Sequence, residues 1–241
     1  MSDPLSNERA GPATDAPGDP GVGRGASHQR QWLLTGAVLI LLGLALGVIV
    51  RGDRVLPGEL VLLGWMHQPP SEWLDRIAWW ASRFGDTYTG LTTATLLAVL
   101  WCAWRGRPGL ALFLAAASAL RVVGPPIKWF FDSARPPLDM HAVIEPVSGL
   151  GYPSGHTLGA VLVYGAILLT VPQTLWSRPT RWIVRTLCLA LTVLIPWSRM
   201  RLGAHWPSDV AGGYLFGFGI LALLWALLPW VRARLPHRDA R

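Results

Sequence analysis

The chain has 241 residues, 51% of them apolar and only 15% charged, with 14 tryptophans, 21 Lys and Arg against 14 Asp and Glu, and a net charge of +7. Apolar residues in runs of about 20 exclude an ordinary soluble domain and a disordered chain, and describe a membrane protein. The positive balance falls on arginines at the ends of those runs, which implies contact with anionic lipid and calls for no nucleic-acid partner.

Residues 1–29 are rich in Gly, Pro, Ala, Ser and Asp without periodicity, which predicts a disordered tail. The first span runs from about Trp32 to Val50, too long for a signal-peptide core and without a small-residue cleavage site, so it is expected to stay as an anchor. Next comes PPSEWLDRIAWWASRFGD, where Ser71 reads as a helix cap, Gly85 as a stop, and Trp73, Ile77, Trp80 and Phe84 as one stripe. The pattern leaves two placements open: a helix lying in the interface with its tryptophans at headgroup level, or one packed on the other spans.

Further apolar runs cover about Thr87–Trp104, Pro108–Ile127, Leu158–Val171, Trp182–Trp197 and Val210–Trp230. With the first they make six, so the expected fold is an all-α, integral membrane six-helix bundle over residues 30–231, followed by a basic tail at 232–241. Six spans put both termini on one side. Arginine decides which: Arg9, Arg24 and Arg30 precede the first span, Arg105 and Arg107 fill one turn, Arg178, Arg181 and Arg185 follow another, and Arg232, Arg234, Arg238 and Arg241 end the chain. The positive-inside rule makes these segments cytoplasmic, in a cell's inner membrane. The heavy use of Arg, Ala and Gly points to a bacterial chain with a periplasm outside. Cys102 and Cys188 lie within spans and suggest neither a disulfide nor a metal site.

That orientation leaves two outside loops with unusual polar residues beside span ends. The first, about 128–153, opens on Lys128, the single lysine of the chain, continues to Arg135 and Pro136, and closes on Pro153, Ser154, Gly155 and His156. The second holds SRMRLGAHWPSD, Ser198 to Asp209. The order K-x6-RP, PSGH, SR-x5-H-x3-D resembles the three-part signature of the type 2 phosphatidic acid phosphatase superfamily, which includes lipid phosphate phosphatases and vanadium haloperoxidases. The resemblance covers roughly Gly85 to Gly217 and matches every signature position. It implies a phosphohistidine intermediate on His205, protonation of the departing group by His156, and then attack by a water that His156 deprotonates, with no cofactor.

The residues make chemical sense on their own. A phosphoryl group in transfer spreads negative charge over its oxygens, and Lys128, Arg135 and Arg199 can meet it, the arginines as planar forks and the lysine as a compact charge. Ser154, Gly155 and His156 open a helix whose free N–H groups attract an anion; Gly155 permits close approach, and Ser154 serves as donor or ordinary cap. His205 and Asp209, four apart, allow the carboxylate to hold one ring nitrogen and free the other for attack on phosphorus. Two histidines and an aspartate also suit zinc, but three cations beside a dication argue against it. Asp132, Asp139 and Glu145 share the first loop and read as a solvated face, while His67 and His141 lack partner spacing. Arg121, seven residues before Lys128 inside an apolar run, reads either as functional or as paired with a carboxylate on another span. The expectation is therefore a membrane phosphatase acting on a lipid phosphate or diphosphate. A phosphotransferase with the same site, and an anion-binding transporter, are the alternatives.

Overall fold

The computed structural model describes residues 20–137, 149–175 and 177–234, with side chains from residue 27 onward. Of the tail expected over 1–29, residues 1–19 lie outside these described residues and residues 20–29 are helical; the loop residues Asp139, His141 and Glu145, and the arginines after residue 234, also lie outside. Among the described residues eight helices carry the fold: α1 (Pro20–Ile49), α2 (Glu59–Met66), α3 (Glu72–Phe84), α4 (Thr92–Trp104), α5 (Pro108–Phe131), α6 (Gly155–Gln173), α7 (Arg178–Arg201) and α8 (Pro207–Arg234). Five of them, α1 from Ser27 and α5 to α8, are long and apolar enough to cross a membrane. The expected span over Thr87–Trp104 is built differently. A π-helical turn, Thr87–Leu91, runs directly into the 13-residue α4. Asp86 causes the turn: its carboxylate accepts from the N–H of Tyr88 and Thr89, and its carbonyl accepts from Leu91 N five residues on, at 2.9 Å. Helix α1 starts at Pro20, well before the run that marked the first span.

α6 is the axis of the bundle. Of its most apolar window 78% is buried, against 17% for α1, and Val161, Leu162, Val163 and Tyr164 are buried on every side of the helix. α1 instead lies along α8 through a seam of glycines, where a side-chain carbon added at Gly219 would stand 3.1 Å from the Gly36 carbonyl. Proline bends α7. Pro196 has no N–H for the Thr192 carbonyl, and the Tyr214 hydroxyl of α8 donates to that carbonyl at 2.7 Å instead. In α5 the pair Pro125 and Pro126 follows a 3-10 turn, Leu120–Val123, which breaks the helix two turns before its end.

α3 packs on α7, one of the two placements that its stripe allowed. Ala78, Ala81 and Ser82 are buried against α7, while Trp73 and Trp80 remain 64% and 62% exposed on the opposite face. Ser71 stands at the N-cap without a side-chain bond, and Gly85 ends the helix. Cys102 and Cys188 are both free and buried.

Candidate functional site

The site forms where α5 ends, α6 and α8 begin, and α7 ends. His205 precedes α8 by two residues and Asp209 sits in that helix's first turn, so the i,i+4 spacing stacks them. His205 Nδ1 lies 3.0 Å from Asp209 Oδ2, and both side chains are almost wholly buried. The same oxygen accepts from Trp206 N at 3.1 Å. A carboxylate on Nδ1 fixes the tautomer with the proton there, leaving the lone pair on Nε2. That nitrogen accepts from Arg135 Nη1 at 3.2 Å. Burial holds the His205 pKa well below the usual imidazole value, with Arg135, Lys128 and Arg199 adding repulsion, so the ring is neutral.

The cations are anchored by backbone carbonyls. Lys128 Nζ donates to Leu150 O at 3.0 Å and Gly151 O at 2.6 Å, while Arg135 donates through Nε to Gly149 O at 3.0 Å and through Nη1 to Ala204 O at 2.7 Å. These bonds fasten both ends of the first motif loop beside the histidine loop. Arg199, 3% exposed, donates through Nη1 to the Ser82 hydroxyl of α3 at 2.6 Å. Gly151 is fitted against the dyad: a side-chain carbon there would come within 2.8 Å of Asp209 Oδ2.

Ser154 caps α6 through its hydroxyl, 3.4 Å from Thr157 N, and its own N–H donates to the Asp209 carbonyl at 2.9 Å. Gly155 is the first residue of the helix, and a side-chain carbon on it would meet open space. His156 follows, with Gly85 so close that an added carbon there would stand 2.9 Å from the ring. Asp86 is its neighbour; burial alone would raise this carboxyl's pKa, but hydrogen bonds from Thr89 and Tyr88, with His156 nearby, hold it below the ordinary value. The structure thus brings Lys128, Arg135, Ser154, Gly155, His156, Arg199, His205 and Asp209 to one end of the bundle. Among the described residues no three His, Cys, Asp or Glu side chains converge as a metal cage would require.

Three supporting residues carried no signal in the sequence. Glu59 of α2 is 5% exposed and accepts from Ser208 N at 2.7 Å and Leu56 N at 2.8 Å, capping the helix that bears Asp209 from 149 positions away. Arg201, two residues past Arg199, pairs with Asp75 of α3 at 2.7 Å and donates to Met66 O at 2.7 Å. Tyr152 is fully buried, its hydroxyl donates to the Gly43 carbonyl of α1, and its ring packs edge-on against Phe131.

A bundle of membrane helices whose ends bring a buried His–Asp pair, a helix N-terminus and three cations together has the donors that an oxyanion requires. The chain is a member of the PAP2 superfamily, whose sequence profile matches residues 108–233. Over 189 residues it is 28% identical to the undecaprenyl-diphosphatase of Sulfolobus acidocaldarius, covering 75% of this chain and 84% of that one. It is 26% identical to phosphatidylglycerophosphatase B of Escherichia coli K12 over 221 residues, covering 70% and 82%. Its fold matches the crystal structure of a transmembrane PAP2 type phosphatidylglycerolphosphate phosphatase from Bacillus subtilis, with a TM-score of 0.68 at 20% identity, over 85% of this chain and 99% of that chain.

Proposed function

We propose that the protein is a membrane phosphatase that removes the terminal phosphate of a lipid phosphate or diphosphate. The observation that carries this reading is the His205 ring, held neutral by burial and the neighbouring cations, with Asp209 on one nitrogen and Arg135 facing the other. His205 Nε2 attacks phosphorus, the bond to the leaving oxygen breaks, and His156 supplies a proton to that oxygen. Lys128, Arg135, Arg199 and the amides at Gly155 receive the charge on the remaining oxygens. Water, deprotonated by His156, then releases phosphate from His205. The cations do the work that a metal does elsewhere, so the reaction needs none. Membership of the PAP2 superfamily, and relatives named for phosphatase activity on lipid phosphates, support the substrate class. The arginine distribution supports a site on the outer face with cytoplasmic termini.

The test is phosphate release by purified protein from phosphatidic acid, phosphatidylglycerol phosphate and a polyprenyl diphosphate, with a chelator arm and a product assay for transfer to acceptors other than water. Phosphate release that persists in EDTA and vanishes in His205→Ala supports the reading. Loss in EDTA with recovery on added magnesium or zinc, or full activity without His205, overturns it.

A further inference from the structure

Arg121 is the one charged residue that the apolar run of α5 carries before Lys128, and the mechanism above does not use it. It lies in the 3-10 turn ahead of the proline pair and is half-buried, with Nε donating to Ser118 O at 2.8 Å. Its Nη1 stands 3.5 Å from the carbonyl of Thr87, the long limit of a hydrogen bond. Among the described residues no carboxylate pairs with it, so the structural pairing that the sequence allowed is not what holds this charge in the bundle.

Its place relative to the site is fixed by two contacts. On α6, Gly159 is four residues after Gly155 and so lies on the same face one turn deeper; a side-chain carbon there would stand 3.5 Å from Arg121 Cδ. Gly155 itself meets open space on that face, and the arginine stem lies one turn deeper, beside Leu91, whose side chain also packs on Gly159. On the other side, Thr87 is two residues from Gly85, where an added side-chain carbon would stand 2.9 Å from the His156 ring. Arg121 therefore stands on the His156 side of the site. The leaving group must also be on that side, because His156 brings it a proton. Asp86, the acidic group there, is engaged by Tyr88 N, Thr89 N and the Thr89 hydroxyl.

We propose that Arg121 binds a second phosphate carried by the leaving group, and that it makes the enzyme prefer lipids whose leaving group is itself anionic. This rests on the phosphatase reading and deepens it. Two substrates share the chemistry. In a polyprenyl diphosphate the leaving group is the second phosphate itself; in phosphatidylglycerol phosphate it is a glycerol that bears a phosphodiester. Phosphatidic acid leaves as an uncharged diacylglycerol and gives the arginine nothing to hold.

The experiment measures kcat/KM of the parent, Arg121→Ala, Arg121→Gln and Arg121→Lys on all three lipids in mixed micelles. The glutamine variant removes the charge while keeping a donor for Ser118 O, and it carries the test if the alanine variant does not fold. The expected result is a fall of about 10- to 100-fold in the ratio of diphosphate or diester-bearing substrate to phosphatidic acid, the size of a lost charge-assisted contact, with partial recovery in Arg121→Lys. Whichever arm falls, diphosphate or phosphatidylglycerol phosphate, identifies the source of the second phosphate. An unchanged ratio overturns the proposal, whether all rates drop together because the arginine only braces α4, or none drop because it only touches bulk headgroups. A parent that releases phosphate from no lipid would instead bring down the phosphatase reading itself.

Discussion

The single lysine has a more specific job than its position at a helix end suggested. Its ammonium already spends two donors on Leu150 O and Gly151 O, next to a glycine that has no room for a side chain against Asp209. A guanidinium cannot satisfy both carbonyls and one phosphoryl oxygen from that point, since its donors lie in one plane. Lys128→Arg is thus expected to lower kcat by about 10²-fold with KM changed only a few-fold, the cost of misplacing a charge by about an ångström. A raised KM with kcat unchanged would make the residue a simple anion trap. His205 supports a second expectation. Its folded pKa is depressed below about 6.5, the value of the unfolded chain, so at low pH the unfolded state binds a proton that the folded state refuses. The stability tied to the neutral ring is whole above about pH 6.5 and is lost as the pH falls from there toward the folded value. His205→Asn removes that titration, so the Tm difference between parent and variant should narrow from pH 7 to pH 5. Parallel Tm curves would show that the ring is not held neutral.

At the level of elements, what could be read in advance was whatever obeys local rules. The apolar runs, the stop at Gly85, the Ser154 cap and the His205–Asp209 spacing all follow from period, capping or i,i+4 geometry, and each stands in the structure. Glu59 and Arg201 escaped because their partners are set by tertiary packing: nothing near Glu59 announces Ser208, and nothing near Arg201 announces Asp75. The π turn at Thr87 escaped for a related reason, since one aspartate reorganises a stretch whose hydropathy is that of a plain span. Arg201 matters to the site through α3, because Asp75 and Ser82 lie on that helix and Ser82 holds Arg199. Replacing one member of a buried pair leaves the other uncompensated, at about 3 kcal/mol when the survivor can still reach some water, as Asp75 can. Arg201→Met should lower stability by about that amount, and adding Asp75→Asn should recover part of the loss. Strict additivity in a denaturation cycle would mean the two groups do not interact.

At the level of the whole molecule, the bundle divides into a buried axis and a peripheral helix. α6 holds the first turn of the site and is packed on all sides, whereas α1 faces lipid and touches the rest mainly through its glycine seam on α8. Among the bonds that cross that division is one from the Tyr152 hydroxyl, two residues before Ser154, to the Gly43 carbonyl of α1. The apolar length of α1 is 23 residues, about 34 Å at 1.5 Å per residue, slightly more than a hydrocarbon layer of about 30 Å. A helix with such an excess leans, and it leans further as the bilayer thins. Tyr152 ties that lean to the loop that seats Lys128. Turnover should therefore vary with acyl chain length in vesicles at constant headgroup composition, and Tyr152→Phe, which keeps the ring against Phe131 and cuts the tie, should flatten that dependence. An identical chain-length profile in parent and variant would refute the coupling. If the profile flattens, the bilayer is a mechanical input to the enzyme as well as its solvent, and one hydroxyl is the lever.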